Sequence, residues 1–137
     1  MAVDGDANRR TAERFREAME SGRLEELSRL QLEATTEDFV DEWPQSGERI
    51  RGQENIRAIT DNYPQMTGTE PKMKLRRMLG EGDLYVAEGT IDYGDGTPVS
   101  YVGIAEFENG KIKKMTEYFA NPFPAPEWRS QWVERME

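Results

Sequence analysis

Residues 84–119 read LYVAEGTIDYGDGTPVSYVGIAEFENGKIKKMTEYF, and the punctuation inside this run decides the fold. Two pairs, Asp95-Gly96 and Asn109-Gly110, interrupt stretches rich in branched and aromatic residues. Such pairs tolerate the positive φ angles of tight hairpin turns, so the run predicts an antiparallel meander with strands over 84–93, 99–107 and 111–119. If Asp95-Gly96 is a two-residue turn, Asp92 faces Val99, Thr90 faces Tyr101, Glu88 faces Gly103, Val86 faces Ala105 and Leu84 faces Phe107. Alternation puts all of these on one face and leaves Tyr85, Ile91, Val102 and Ile104 on the other.

The second turn pairs Phe107 with Ile112, and a strict register would then aim Lys114 inward. A bulge near Lys113-Lys114 keeps Ile112 inside and turns Met115, Glu117 and Phe119 inward with it. Under that register Glu88, Gly103 and Glu117 form one row across the sheet, two carboxylates flanking a residue without a side chain.

Upstream, Ala12, Phe15 and Met19 recur at helical spacing over 8–20, after a polar lead at 1–6. A second helix from Leu24 carries Leu27, Leu30 and Ala34, and a third after Gly52 turns Ile56 and Ile59 inward before Tyr63-Pro64 closes it. Between them Phe39 to Trp43 is a short strand ended by Pro44, and Gln65 to Pro71 is a polar loop. Lys72 to Leu79 is a further strand with Met73, Leu75 and Leu79 on one side and Arg77 one diagonal step from Glu88. After the meander, residues 121–126 are too rich in proline for helix or ladder, and Trp128, Trp132, Val133 and Met136 mark a short terminal helix. The pattern is α+β, one domain over 1–137, with three N-terminal helices on a strongly curved antiparallel sheet and a concave pocket between them.

Composition narrows the chemistry. The net charge of -9 argues against nucleic acid and anionic membranes as partners. Met1 to Arg10 is polar and no apolar run approaches a spanning length, so a cytoplasmic location is expected. The chain has no cysteine and no histidine, which removes the usual transition-metal ligands and the serine-histidine and cysteine-histidine nucleophiles. No glycine-rich phosphate loop is present, and no cofactor is expected. Any general acid or base must be a carboxylate, tyrosine or lysine.

The order of elements, with Asp38 to Pro44, Gly47-Glu48-Arg49-Ile50-Arg51-Gly52 and Gly110-Lys111-Ile112 followed by Glu117-Tyr118-Phe119, resembles the nuclear transport factor 2-like superfamily, particularly its SnoaL-like members. The resemblance implies a cone-shaped, cystatin-like roll with an apolar pocket, usually a homodimer through the outer sheet face. It spans polyketide cyclases, ketosteroid isomerases, epoxide hydrolases and non-catalytic binding domains, so activity must come from the site. The isomerase groups align with Phe15, Trp43 and Gly103, none of which carries the needed acid or hydroxyl. The acids of the limonene-type epoxide hydrolases fall on Glu88 and Glu117, with Val86 at their arginine position and Arg77 as its only substitute.

Glu88 and Glu117 are therefore the expected proton donor and acceptor for a small apolar ligand. Tyr101 is expected to orient it, and Phe15, Trp43, Arg77, Val86, Gly103, Met115 and Phe119 to complete the binding site. Two carboxyls in a poorly solvated pocket raise one pKa and leave an acid beside a base. The competing reading has Glu117 outward on Lys113 or Lys114 and Glu88 neutralised by Arg77, in a non-catalytic binding or dimerisation domain. Asp38, Asp41 and Glu42 read as a solvated acidic cluster.

Overall fold

Apolar spacing in the first third of the chain makes helices because each has one stripe to bury and a glycine or β-branched residue to stop it. In the computed structural model, which describes residues 2–68 and 71–136 without the side chains of 2–4, 24 and 64–67, α1 is Ala2–Ser21, α2 Leu24–Ala34 and α3 Gln53–Thr67. The polar lead expected at 1–6 is the first turn of α1 from Ala2 onward. Its polar composition hid a helix that Asn8 and Thr11 anchor: the Asn8 amide donates to Gly82 O at 3.1 Å and accepts from Gly110 N, and the Thr11 hydroxyl donates to Gly110 O. Helix α1 is thereby fastened to two hairpin turns. Helix α3 runs past Pro64, whose fixed φ is itself helical and which forfeits one backbone bond. The polar loop expected over 65–71 overlaps that helix, and its residues 69–70 lie outside the described residues.

The strands are β1 (Thr35–Trp43), β2 (Glu48–Arg51), β3 (Lys72–Glu81), β4 (Leu84–Asp92), β5 (Val99–Glu108) and β6 (Lys111–Ala120). They form one sheet in the order β2-β1-β6-β5-β4-β3. The meander β3 to β6 is antiparallel as expected, but β1 pairs β6 in parallel, so the sheet is mixed. Strand β2 is an addition: Gly47-Glu48-Arg49-Ile50-Arg51-Gly52 folds back on β1, with Ile50 opposite Asp41. Too short to show alternation, it carried no signal of its own.

Helices α1 and α3 pack on the inner face of this curved sheet, and α2 packs against both of them. Phe39, at 1% exposed, Phe15, Leu30, Ile56, Phe107 and Ile112 make the core. Ile59, expected inward, is 40% exposed, because α3 turns its first-turn face, through Ile56, to the sheet. After β6, residues 121–126 are neither helix nor strand and Glu127–Trp132 is a 3-10 helix whose tryptophans are exposed.

Candidate active site

Register decides which side chains reach the interior. On β6 the pairing jumps from Phe107↔Ile112 to Glu106↔Lys114, leaving Lys113 as an extra residue. That bulge keeps Ile112 buried and sets Met115 opposite Ala105 and Glu117 opposite Gly103, both lining the interior.

On β4 the outcome differs. Ala87, not Glu88, pairs with Gly103, and Glu88 pairs with Val102. The connection is not a two-residue turn. Asp92 Oδ1 accepts from Gly94 N at 2.8 Å and Asp95 Oδ1 from Thr97 N at 2.9 Å, and pairing resumes at Ile91↔Val99. Pro98 cannot donate to a ladder, so the loop runs longer and the parity changes. A one-residue slip moves every side chain of a strand to the other face. Tyr85, Ala87 and Ile91 are therefore inside; Leu84, Val86, Glu88 and Thr90 are outside with Val102 and Ile104. Glu88 accepts from Arg77 at 2.5 Å and meets Arg76 at 3.8 Å, its side chain 29% exposed.

Arg77 and Val86 are likewise absent from the interior, Arg77 because an extra residue between Leu75 and Arg77 reverses the parity of β3. The same bulge exposes Leu79 and turns Met78 in.

Between the helices and the inner face lies a cavity of about 140 Å³. Phe15, Tyr101, Gly103, Met115 and Glu117 line it, whereas Trp43 and Phe119 are not on the lining. Trp43 packs edge-on to Phe119 at 5.8 Å, and Phe119 packs on Tyr101 at 5.4 Å. The sequence reading missed Asp41. Its neighbours on the strand diverge: Glu42 faces outward, paired to Arg49 at 2.7 Å and Lys114 at 3.1 Å, whereas Asp41 is 1% exposed and lines the cavity. The strict alternation of Phe39, Asp41 and Trp43 was the available signal, an acid at an inward position of a strand. The acidic triplet of 38, 41 and 42 is thus split between two faces.

Asp41 and Glu117 meet at the inner wall. The Trp43 indole N–H donates to Glu117 Oε1 at 3.1 Å, and the Tyr101 hydroxyl donates to Glu117 Oε2. Burial, then the hydrogen bond and the negative charge of Glu117, push the Asp41 carboxyl up to about 10. It is a neutral acid at pH 7 and holds its proton against Glu117. Burial first, and the charge of Glu117 next, also raise the Tyr101 hydroxyl well above its ordinary value, so Tyr101 stays a donor. Gly103 makes this possible: a methyl group built on it would collide with the Tyr101 hydroxyl, which folds along the strand over that position. Tyr93, half-buried in the β4–β5 connection and 5.8 Å from Tyr63 of α3, is raised by burial and lies within electrostatic reach of Glu117.

The site therefore comprises a protonated acid, a second carboxyl held by two neutral donors, and largely apolar walls that also carry Ser28, Gln31, Thr35 and Thr60. It is equipped to give and take a proton without a nucleophile.

Comparison with known proteins places these residues in a family. The SnoaL-like domain model matches residues 12–115. A nuclear transport factor 2-like protein of unknown function from Burkholderia xenovorans LB400 is 35% identical, with 96% of this chain and 97% of that chain covered and a TM-score of 0.74. A protein proposed to be a ketosteroid isomerase, from Kribbella flavida DSM 17836, is 22% identical over 100% of this chain and 95% of that one, at a TM-score of 0.79. An epoxide hydrolase from M. tuberculosis is 23% identical over 84% of each chain, at a TM-score of 0.61. At those last two identities the likeness is one of fold. A comparison with curated protein sequences gave no match.

Proposed function

This chain belongs to the SnoaL-like domain family, and on that premise we propose that its cavity binds a small, largely apolar molecule and moves a proton on it without a cofactor. The observation that carries this reading is Asp41, a neutral acid 1% exposed, set against Glu117 at the cavity wall. Asp41 serves as general acid, and Glu117 as its conjugate partner and base. Tyr101 and Trp43 are positioning residues that hold Glu117 in its rotamer. A positioned acid or base of this kind contributes roughly 10² to 10⁴ in rate. The pair departs from the expected Glu88 and Glu117 in one member, since Glu88 lies on the outer face.

The test is solvent deuterium exchange into a panel of compact one-ring carbon acids, followed by proton NMR. Protein-dependent exchange that falls in Asp41→Asn and Glu117→Gln supports the reading. Binding across the panel with no exchange would leave a small-ligand-binding domain, the alternative that this family also accommodates.

We further propose a homodimer through the outer sheet face, where Val86, Val102 and Ile104 are apolar and Leu84 and Tyr118 are 46% and 39% exposed. Sedimentation at micromolar concentration decides it: a dimer that Ile104→Lys breaks is expected, and a wild-type monomer contradicts it.

A further inference from the structure

The two walls of the cavity differ in how far their polar groups are engaged. On the sheet side Tyr101 and Trp43 are committed to Glu117. On the helical side the Thr60 hydroxyl of α3 donates to Ile56 O, and the Thr35 hydroxyl, where α2 ends, donates to Gln31 O and accepts from the Gln53 amide. Ser28 and Gln31 of α2 also line the cavity and are partly buried, yet the Ser28 hydroxyl and the Gln31 side-chain amide engage nothing among the described residues. They stand three residues apart, hence on one face of the helix. The Tyr85 hydroxyl, on the sheet side, is the other polar group of the lining without a partner among those residues.

Packing does not account for the pair on α2. That helix packs on α1 and α3, its stripe of Leu27, Leu30 and Ala34 joins the core, and the cavity lies between it and the sheet. Ser28, Gln31 and Thr60 also line a groove of about 210 Å³ between α2 and α3, so they stand where the cavity meets the surface. The cations of that groove are balanced, Arg29 by Glu26 at 2.6 Å and Arg57 by Asp61 at 3.4 Å. This wall therefore offers hydrogen bonds rather than charge, and it does so across the cavity from Glu117.

We propose that Ser28 and Gln31 determine specificity by taking a neutral hydroxyl or carbonyl at the far end of the ligand, so that the substrate is a one-ring carbon acid, polar at both ends. This deepens the reading that the cavity is the ligand site and rests on it. The size follows from the cavity of about 140 Å³, close to the roughly 150 Å³ that admits benzene in an engineered apolar cavity.

The chemistry of the two side chains selects the group. A serine hydroxyl both donates and accepts, and a primary amide does so through separate atoms, so the pair fits a hydroxyl or a carbonyl equally. An anionic group finds no cation on the described lining and meets the charge of Glu117. A wholly apolar ring takes water from both side chains and returns no hydrogen bond, and a site that hydrogen-bonds a substrate group rejects the analogue lacking it. Apolar side chains between the two polar ends, Phe15, Leu27 and Met115 among them, hold the ring itself.

The test compares 4-hydroxycyclohexanone with 4-methylcyclohexanone, which differ only in the distal substituent. Solvent deuterium exchange, normalised to each ketone's buffer-catalysed rate, reads turnover, and labelled methionine methyls read binding, since Met19, Met73, Met78 and Met115 line the cavity. The wild type is expected to favour the hydroxyketone at least about tenfold in kcat/KM. Ser28→Ala with Gln31→Leu erases that preference by raising KM for the hydroxyketone, with kcat kept within about twofold. Alanine and leucine are good helix formers, so α2 is retained; a melting curve checks this, and should the double variant not fold, the wild-type comparison decides alone. Equal rates for the two ketones, or a preference that survives the double variant and disappears in Tyr85→Phe, overturns the proposal and leaves proton transfer at Glu117 standing. Ketones that bind with the tenfold preference but do not exchange support the proposal and overturn the proton transfer. Methionine signals that move with neither ketone overturn both.

Discussion

Glu88 and Glu117 stand on β4 and β6, either side of β5, and meet opposite fates. Glu88 lies on the outer face, paired to Arg77 at 2.5 Å with water at hand. Glu117 lies inside, held by an indole and a phenol, against a buried acid. Cationic partners with solvent access compensate a carboxylate cheaply and leave it inert. Neutral donors satisfy its lone pairs but not its charge, and the excess is passed to the buried Asp41 as a retained proton. The parity of a strand thus decides which carboxylate has chemistry to do.

The largest expected effect separates the two faces by activity. Asp41→Asn or Glu117→Gln lowers catalysed deuterium exchange by about 10² to 10⁴, whereas Glu88→Gln changes it by less than about twofold, since an exposed ion pair is worth at most about 1 kcal/mol. A comparable loss in Glu88→Gln would break the comparison.

The next effect concerns pH. Folding raises the Asp41 carboxyl from 3.8 to about 10, so between those values the folded chain keeps a proton that the unfolded chain has released. Its contribution to stability is fully present below the unfolded value and is lost as pH rises toward the folded one, with a limiting slope of about 1.4 kcal/mol per pH unit. Asp41→Asn has no such proton. Urea unfolding at mildly acidic and mildly alkaline pH should show the variant gaining on the wild type as pH rises; parallel curves would contradict this.

Gly103→Ala sharpens the comparison from inside. The added methyl displaces the Tyr101 hydroxyl from Glu117, at a cost of about 1–3 kcal/mol for overpacking and with a loss of exchange activity. A fully active Gly103→Ala would show that Tyr101 does not position Glu117. Smallest is the outer pair itself: Arg77→Ala should cost at most about 1 kcal/mol by thermal unfolding, and less in high salt.

Much of the fold was legible because glycine and proline punctuate it: the strands at 72, 84, 99 and 111 and the bulge at Lys113 all follow from turn chemistry and inward apolar spacing. The parity of β4 was not. Its turn contains three candidate breakers, Gly94, Asp95-Gly96 and Pro98, and which one sets the register depends on side-chain turns at Asp92 and Asp95 that compete over a few residues. Half of the carboxyl pair went with it. Glu117 was found because the Gly110 turn and the buried Ile112 fix β6. Asp41 was passed over because a strand rich in Asp and Glu reads as solvated until its parallel partner is known, and parallel pairing between distant segments leaves no local mark.

The central claim is that Asp41 is neutral inside the folded protein at physiological pH. Carbon-13 NMR of labelled aspartate side chains, assigned through Asp41→Asn, follows that carboxyl directly across a pH titration. The account predicts a protonated chemical shift at pH 7 and a transition far to the alkaline side, toward about 10. A carboxyl already ionised at pH 5 would contradict it.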